Sequence, residues 1–140
     1  IVVKVVEQDE YDLWINDKKA AAIAMAELTE KDWSAAELVE RGESLYVTNC
    51  VACHQVNGQG IAGIFPGLAG SDVVLNDKAG QIEILMEGIQ GAAMNSFSYL
   101  SEVEMAAVIT YTRQSWGNAE KGDGEIVVPK DIVEYKQNKI

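Results

Sequence analysis

Cys50-Val51-Ala52-Cys53-His54 brings together the only two cysteines and the only histidine of this 140-residue chain. Two thiols three positions apart can reach the two vinyl groups on one edge of a porphyrin and bond to them as thioethers. The next side chain is then held beneath the ring. The pattern therefore reads as a haem c attachment site, with His54 as an axial ligand of iron. Three other readings compete. A structural zinc site takes four ligands, and this chain offers three cysteine or histidine residues. A thioredoxin-like pair sits beside a βαβ pattern, whereas here the cysteines end a helical stretch. A plain disulfide is the remaining option.

Haem iron bound by one histidine has a further axial position. In electron carriers a methionine thioether often fills it and raises the reduction potential. The chain has four methionines. Met25 belongs to an upstream helical stretch, Met86 to the inner side of a helix and Met105 to the interior of the last long helix. Met94 alone falls in a loop, Gly91 to Phe97, from which a side chain can be presented to a ring. It is the expected second ligand. Ile61, Ile64, Phe65 and Leu68 are expected to supply apolar contact with the macrocycle.

The elements that must position these residues follow from local pattern. Ser34-Ala35-Ala36-Glu37 is a capping box. It opens a helix in which Leu38, Gly42, Leu45 and Tyr46 recur at helical spacing before the chain enters the cysteine motif. Gln55 to Asp77 reads as a glycine-rich loop, suited to wrapping a flat group closely. Lys78 to Glu87 reads as a short helix with Ile82, Leu85 and Met86 inward, and the Met94 loop spans Gly88 to Leu100. A second capping box, Ser101-Glu102-Val103-Glu104, opens a helix to about Trp116, closed by Gly117-Asn118. Before this block, Ile1 to Val6 has the β-branched composition of a strand, and Asp9 to Leu28 reads as a helix capped by Asp9. After it come a turn at Gly122-Asp123-Gly124, the apolar run 126–128, and Pro129, suited to the first position of a short helix.

About half the composition is apolar, enough for one compact domain with extensions. No apolar run is long enough to span a bilayer, and no signal peptide is visible. The net charge of −11 argues against nucleic acid and anionic membranes as partners. Residues 34–120 carry ten acids and three bases, so the haem-binding stretch holds the larger share of the net negative charge. Thioether attachment implies an extracytoplasmic location.

Gly42, Tyr46, CVACH at 50–54, FPGLAGS at 65–71, Met94 and SEVEMAAVITYTRQSWGN at 101–118 together resemble class I cytochrome c. The resemblance implies an all-α fold over residues 34–118. Its first and last helices would cross near Gly42–Tyr46 and Val108–Tyr111. It also implies that the Pro66 carbonyl accepts a hydrogen bond from the second ring nitrogen of His54. The sequence departs from the commonest family form at Asn95, where many members have proline after the ligand methionine.

The flanks extend the likeness. IVVKVVEQDEYDLWINDKKAA is similar to the end of the copper-binding cupredoxin domain of cytochrome c oxidase subunit II and its following helix. SWGNAEKGDGEIVVPKDI resembles the C-terminal extension of those subunits that carry a fused cytochrome c domain. This likeness implies three segments: 1–33, the cupredoxin end and linker helix; 34–118, the haem domain; and 119–140, an extension. The implied task is one-electron transfer in a caa-type oxidase, from a donor, of basic character, to a two-copper centre in the same subunit. The copper ligands and membrane anchors would lie upstream, with the soluble haem domain on the periplasmic face. Catalysis would belong only to the intact proton-pumping complex with its other subunits. The alternatives are a free or dehydrogenase-fused carrier cytochrome, and a haem sensor or peroxidase.

Overall fold

The computed structural model describes residues 2–139 of the chain. Among them are helices and loops, and no β-strand; a single isolated bridge joins Ile61 and Phe65. The chain forms two compact units, one ending at Lys31 and one beginning at Asp32.

The first unit is one helix, α1 (Gln8–Glu30), preceded by residues without regular structure. The expected strand at Ile1–Val6 is not formed over its described residues. A strand needs a ladder partner, and composition alone does not supply one; Ile1 itself lies outside the described residues. The helix also starts earlier than Asp9 implied, with Glu7 at the N-cap and no side-chain capping bond. α1 buries no residue, and Leu13, Trp14 and Ile23 are exposed. Its local order comes from neighbouring contacts such as Tyr11 on Trp14, with ring centroids 5.9 Å apart.

The second unit holds α2 (Ala35–Asn49), α3 (Val51–His54), α4 (Asp72–Asn76), α5 (Lys78–Glu87), α6 (Glu102–Gln114), α7 (Asn118–Lys121) and α8 (Pro129–Asn138). Both expected capping boxes are formed. Ser34 and Ser101 each accept from the backbone N–H of the glutamate three residues on, and each glutamate accepts from the serine N–H at 2.9 Å. Two orphan donors are thereby satisfied at the start of each long helix.

α2 and α6 form the main helix–helix contact. A glycine makes the approach possible: a Cβ on Gly42 would lie against the Ala107 carbonyl oxygen and only 2.7 Å from Tyr111 Cβ. Tyr46 fills the neighbouring space. It packs on Tyr111 and on Trp116 at centroid distances of 5.2 Å and donates its hydroxyl to the Gln55 carbonyl at 2.7 Å. The crossing implied by the family likeness is therefore present.

α6 is the most buried element, with Val103, Met105, Ala106, Ala107, Val108 and Ile109 all in the core. Its far side is covered by the C-terminal extension rather than by solvent. Val127 and Ile132 are fully buried there, and α8 packs on α6 and α5. The run 126–128 is extended but unpaired with any strand; instead Val127 exchanges two hydrogen bonds with the Thr110 hydroxyl, at 2.8 and 2.9 Å. The extension thus belongs to the same compact unit as the haem-binding stretch.

Candidate haem site

α3 is a single turn built from the cysteine motif itself. The His54 N–H donates to the Cys50 carbonyl at 2.9 Å, which draws the last residue of the motif back over the first. Cys50 and Cys53 are not joined in a disulfide. Burial, and next the nearby Cys53, push the Cys50 thiol up to about 11. His54 is only 9% exposed.

One ring nitrogen of His54 is already committed: Nδ1 lies 2.9 Å from the Pro66 carbonyl oxygen. A carbonyl can only accept, so Nδ1 carries the hydrogen and Nε2 keeps its lone pair for a ligand. Pro66 can take this position because the loop folds tightly around it. Gly60 N donates to the His54 carbonyl at 2.9 Å, and a Cβ on Gly60 would lie 2.5 Å from the Pro66 carbonyl oxygen. Gly60 also has φ +65°, a conformation that favours glycine.

These residues open onto a cavity of about 350 Å³. Cys50, Cys53, His54, Ile64, Phe65, Pro66, Leu68 and Met94 all line it. Ile61, also expected against the ring, is not among the lining residues; it is bridged to Phe65 and partly exposed. Met94 comes from the loop after α5. That loop is held without a proline at 95: Ile89 N donates to Met94 O at 2.9 Å, Ser96 Oγ to Met86 O at 2.6 Å and Phe97 N to Leu85 O at 2.7 Å. Ser96 and Phe97 thus pin the far end of the loop to α5. Met105 is fully buried in the core, and Met25 sits on α1 in the other unit.

Sequence reasoning missed part of the wall. Gln81, Ile84 and Leu85 of α5, Val74 of α4, and Ile109 and Thr112 of α6 also line the cavity. Gln81 and Thr112 are buried polar residues, joined by a 2.8 Å bond from Gln81 Nε2 to Thr112 Oγ1. The available signal was a glutamine on the same helical face as Ile84 and Leu85, and a threonine four residues after Val108.

The donor set fits a covalently held haem. Two thiols at the required spacing, an oriented imidazole with a free lone pair, a thioether and a mainly apolar enclosure meet in one cavity. A zinc site fits less well: among the described residues no group of three His, Cys, Asp or Glu is placed to hold a metal.

Fold and site together define a single-haem, all-helical electron-transfer domain. The chain belongs to the cytochrome c family, whose model matches residues 39–116. Cytochrome c-552 of Thermus thermophilus is similar at 38% identity over 97 residues, covering 59% of this chain and 73% of that protein. The cytochrome c subunit of a quinone-dependent alcohol dehydrogenase from Gluconobacter oxydans is 35% identical over 92 residues, or 58% of this chain and 19% of the subunit. The gluconate 2-dehydrogenase cytochrome c subunit of Pantoea cypripedii is 30% identical over 111 residues, 71% of this chain and 24% of the subunit. The chain therefore spans a quarter or less of those two dehydrogenase subunits. Membership of the family carries covalent haem c, attached at Cys50 and Cys53, and electron transfer as the activity.

Proposed function

We propose that this chain is a one-electron carrier in which His54 and Met94 are the axial ligands of the haem iron. The observation that carries this is the presence, in one cavity, of the oriented His54 imidazole and the pinned Met94 loop. The haem supplies a ferric–ferrous couple. The protein's part is to hold the imidazole in one tautomer, present the thioether and keep bulk water from most of the ring. With both axial positions held by side chains, none is left for a substrate. Catalysis therefore belongs to whatever assembly the carrier serves. Added cyanide tests this directly. It should bind the ferric protein slowly and only in large excess, whereas a sensor or peroxidase would bind it at once.

The relatives favour a carrier that serves separate partners or a dehydrogenase over one fused to an oxidase. The oxidase subunit II reading rests on the flanks. Residues 1–21 carry the likeness to the cupredoxin end and residues 115–132 the likeness to the C-terminal extension; nearly all of both lie outside the family match. Under that reading the acceptor is a two-copper centre of the same subunit, on the outer face of the membrane. Sequencing the parent gene separates the two. A cupredoxin domain upstream, preceded by hydrophobic segments of about 20 residues, supports the fusion; a different upstream domain supports the dehydrogenase or free carrier.

The cavity rim bears on the partner. Residues 55–71 and 88–101 contain no charged side chain. Ile64 and Ile89, which line the cavity, are 70% and 45% exposed. Contact at the rim is therefore apolar. The acidic residues of α2, α5 and α6 act on a basic donor from a distance.

A further inference from the structure

Arg113 is the most completely buried cation of the chain, with its side chain only 2% exposed. It lies on α6, one residue after the cavity-lining Thr112. Its guanidinium donates to four groups. Two belong to the cavity wall: Nη1 reaches Val74 O at 2.9 Å and Gln81 Oε1 at 3.5 Å. The other two belong to the C-terminal extension: Nε reaches Glu125 O at 2.9 Å, and Nη2 pairs with the Asp123 carboxylate. Gln81 in turn donates to Thr112 Oγ1, which donates to the Ile109 carbonyl at 2.8 Å. The positive charge is thus one hydrogen bond behind residues that line the haem cavity.

We propose that Arg113, clamped by Asp123 and Glu125 of the C-terminal extension, is a positioning residue that sets the reduction potential through the Gln81–Thr112 wall of the cavity. The inference rests on the electron-carrier reading of that cavity. Its physical basis is the asymmetry of the ion pair. Asp123 keeps a side chain 33% exposed, where water and salt screen it, while Arg113 is enclosed. The field reaching the cavity is therefore mainly that of the cation. Reduction adds one electron to the iron site, so a fixed positive charge nearby favours the reduced form and raises the potential. Arginine suits this place, because its planar fork can satisfy two walls at once and does not lose its charge. Residues 119–140 lie beyond the family match. The extension would then be more than a cover: it supplies the groups that hold the charge in place.

The test is a set of midpoint potentials measured on the haem-loaded chain, with the visible spectrum as a check that ligation is intact. Asp123→Asn leaves Arg113 less compensated and should raise the potential. Arg113→Gln should lower it, and Arg113→Lys should fall between the glutamine variant and the wild type even where its stability matches the glutamine variant. Glu134→Gln removes the same charge from an exposed position on α8 and should leave the potential unmoved. If the Arg113 variants fail to fold, Asp123→Asn against Glu134→Gln decides alone. A normal one-electron couple unchanged by Asp123→Asn, or shifted equally by Glu134→Gln, overturns the inference and leaves the carrier reading standing. The absence of any one-electron couple would defeat both.

Discussion

At the scale of the residue, Gly42 carries a large share of the fold in the absence of a side chain. A methyl there meets the Ala107 carbonyl and Tyr111 Cβ at the tightest point of the α2–α6 contact. Gly42→Ala should therefore destabilise the haem-loaded protein by about 1–3 kcal/mol, the usual cost of overpacking a filled core. Denaturant titration followed by tryptophan fluorescence would show it; an unchanged midpoint would mean that the helices separate without cost. Met86 offers the contrast. Its partly buried side chain packs against the core, so Met86→Leu should cost less than ~1.5 kcal/mol and leave the potential in place. Single residues were unevenly legible in the sequence. The attachment motif and Met94 were readable because their chemistry is rare and local. Arg113, Gln81 and Thr112 were not, because a buried polar side chain is understood only through partners 10 to 39 positions away.

At the scale of the element, the two capping boxes explain why α2 and α6 begin where they do, and both were legible from four residues each. Ser101→Ala should cost about 1 kcal/mol. The strand composition of residues 1–6 is not realised over the described residues 2–6 for the opposite reason: a strand is defined by a partner, and none is present among the described residues. Carboxylates at the start of α6, and one paired with Arg113 near its end, carry a pH dependence. The Lys136 ammonium donates to Glu102 and lowers its carboxyl, the Ser101 hydroxyl lowers Glu104, and the Arg113 guanidinium lowers Asp123. All three groups have folded values below their ordinary ones. Their contribution is therefore fully present above about pH 4.5, the ordinary glutamate value, and is lost as pH falls through the folded values. Thermal melts from pH 7 to pH 3 should be level at first and then fall. Combining Glu102→Gln with Asp123→Asn should flatten the fall, and an equally steep fall in that variant would place the acid sensitivity elsewhere.

At the scale of the whole molecule, the second unit is built around a cavity of about 350 Å³ lined mainly by apolar side chains. Without a group to pack against, those side chains lose the contacts that a filled core gives them. A chain with Cys50 and Cys53 both replaced by alanine, and so without attached haem, should lack a cooperative melt and a near-ultraviolet circular dichroism signal. A sharp melt in that protein would mean the shell closes on itself. The charge distribution makes a separate prediction. With ten acids against three bases in residues 34–120 and none on the rim loops, the reaction with a basic donor should slow as salt rises and level off above zero. The plateau reports the apolar contact at the rim. Of this whole, the all-helical class and the haem-binding core from α2 to α6 were readable in advance. The packing of the extension onto α6 was not, since Val127 and Ile132 are apolar residues in a short polar tail whose burial depends on a surface made elsewhere.

The proposed ligation of a covalently attached haem iron by His54 and Met94 is tested most directly by the absorption spectrum of the ferric protein. Methionine ligation gives a weak charge-transfer band at the red edge of the visible spectrum. The wild type should show this band, and Met94→Ala should lose it and gain rapid cyanide binding, with the haem still attached through Cys50 and Cys53. A wild-type spectrum without the band, or a Met94→Ala spectrum that keeps it, would contradict the assignment.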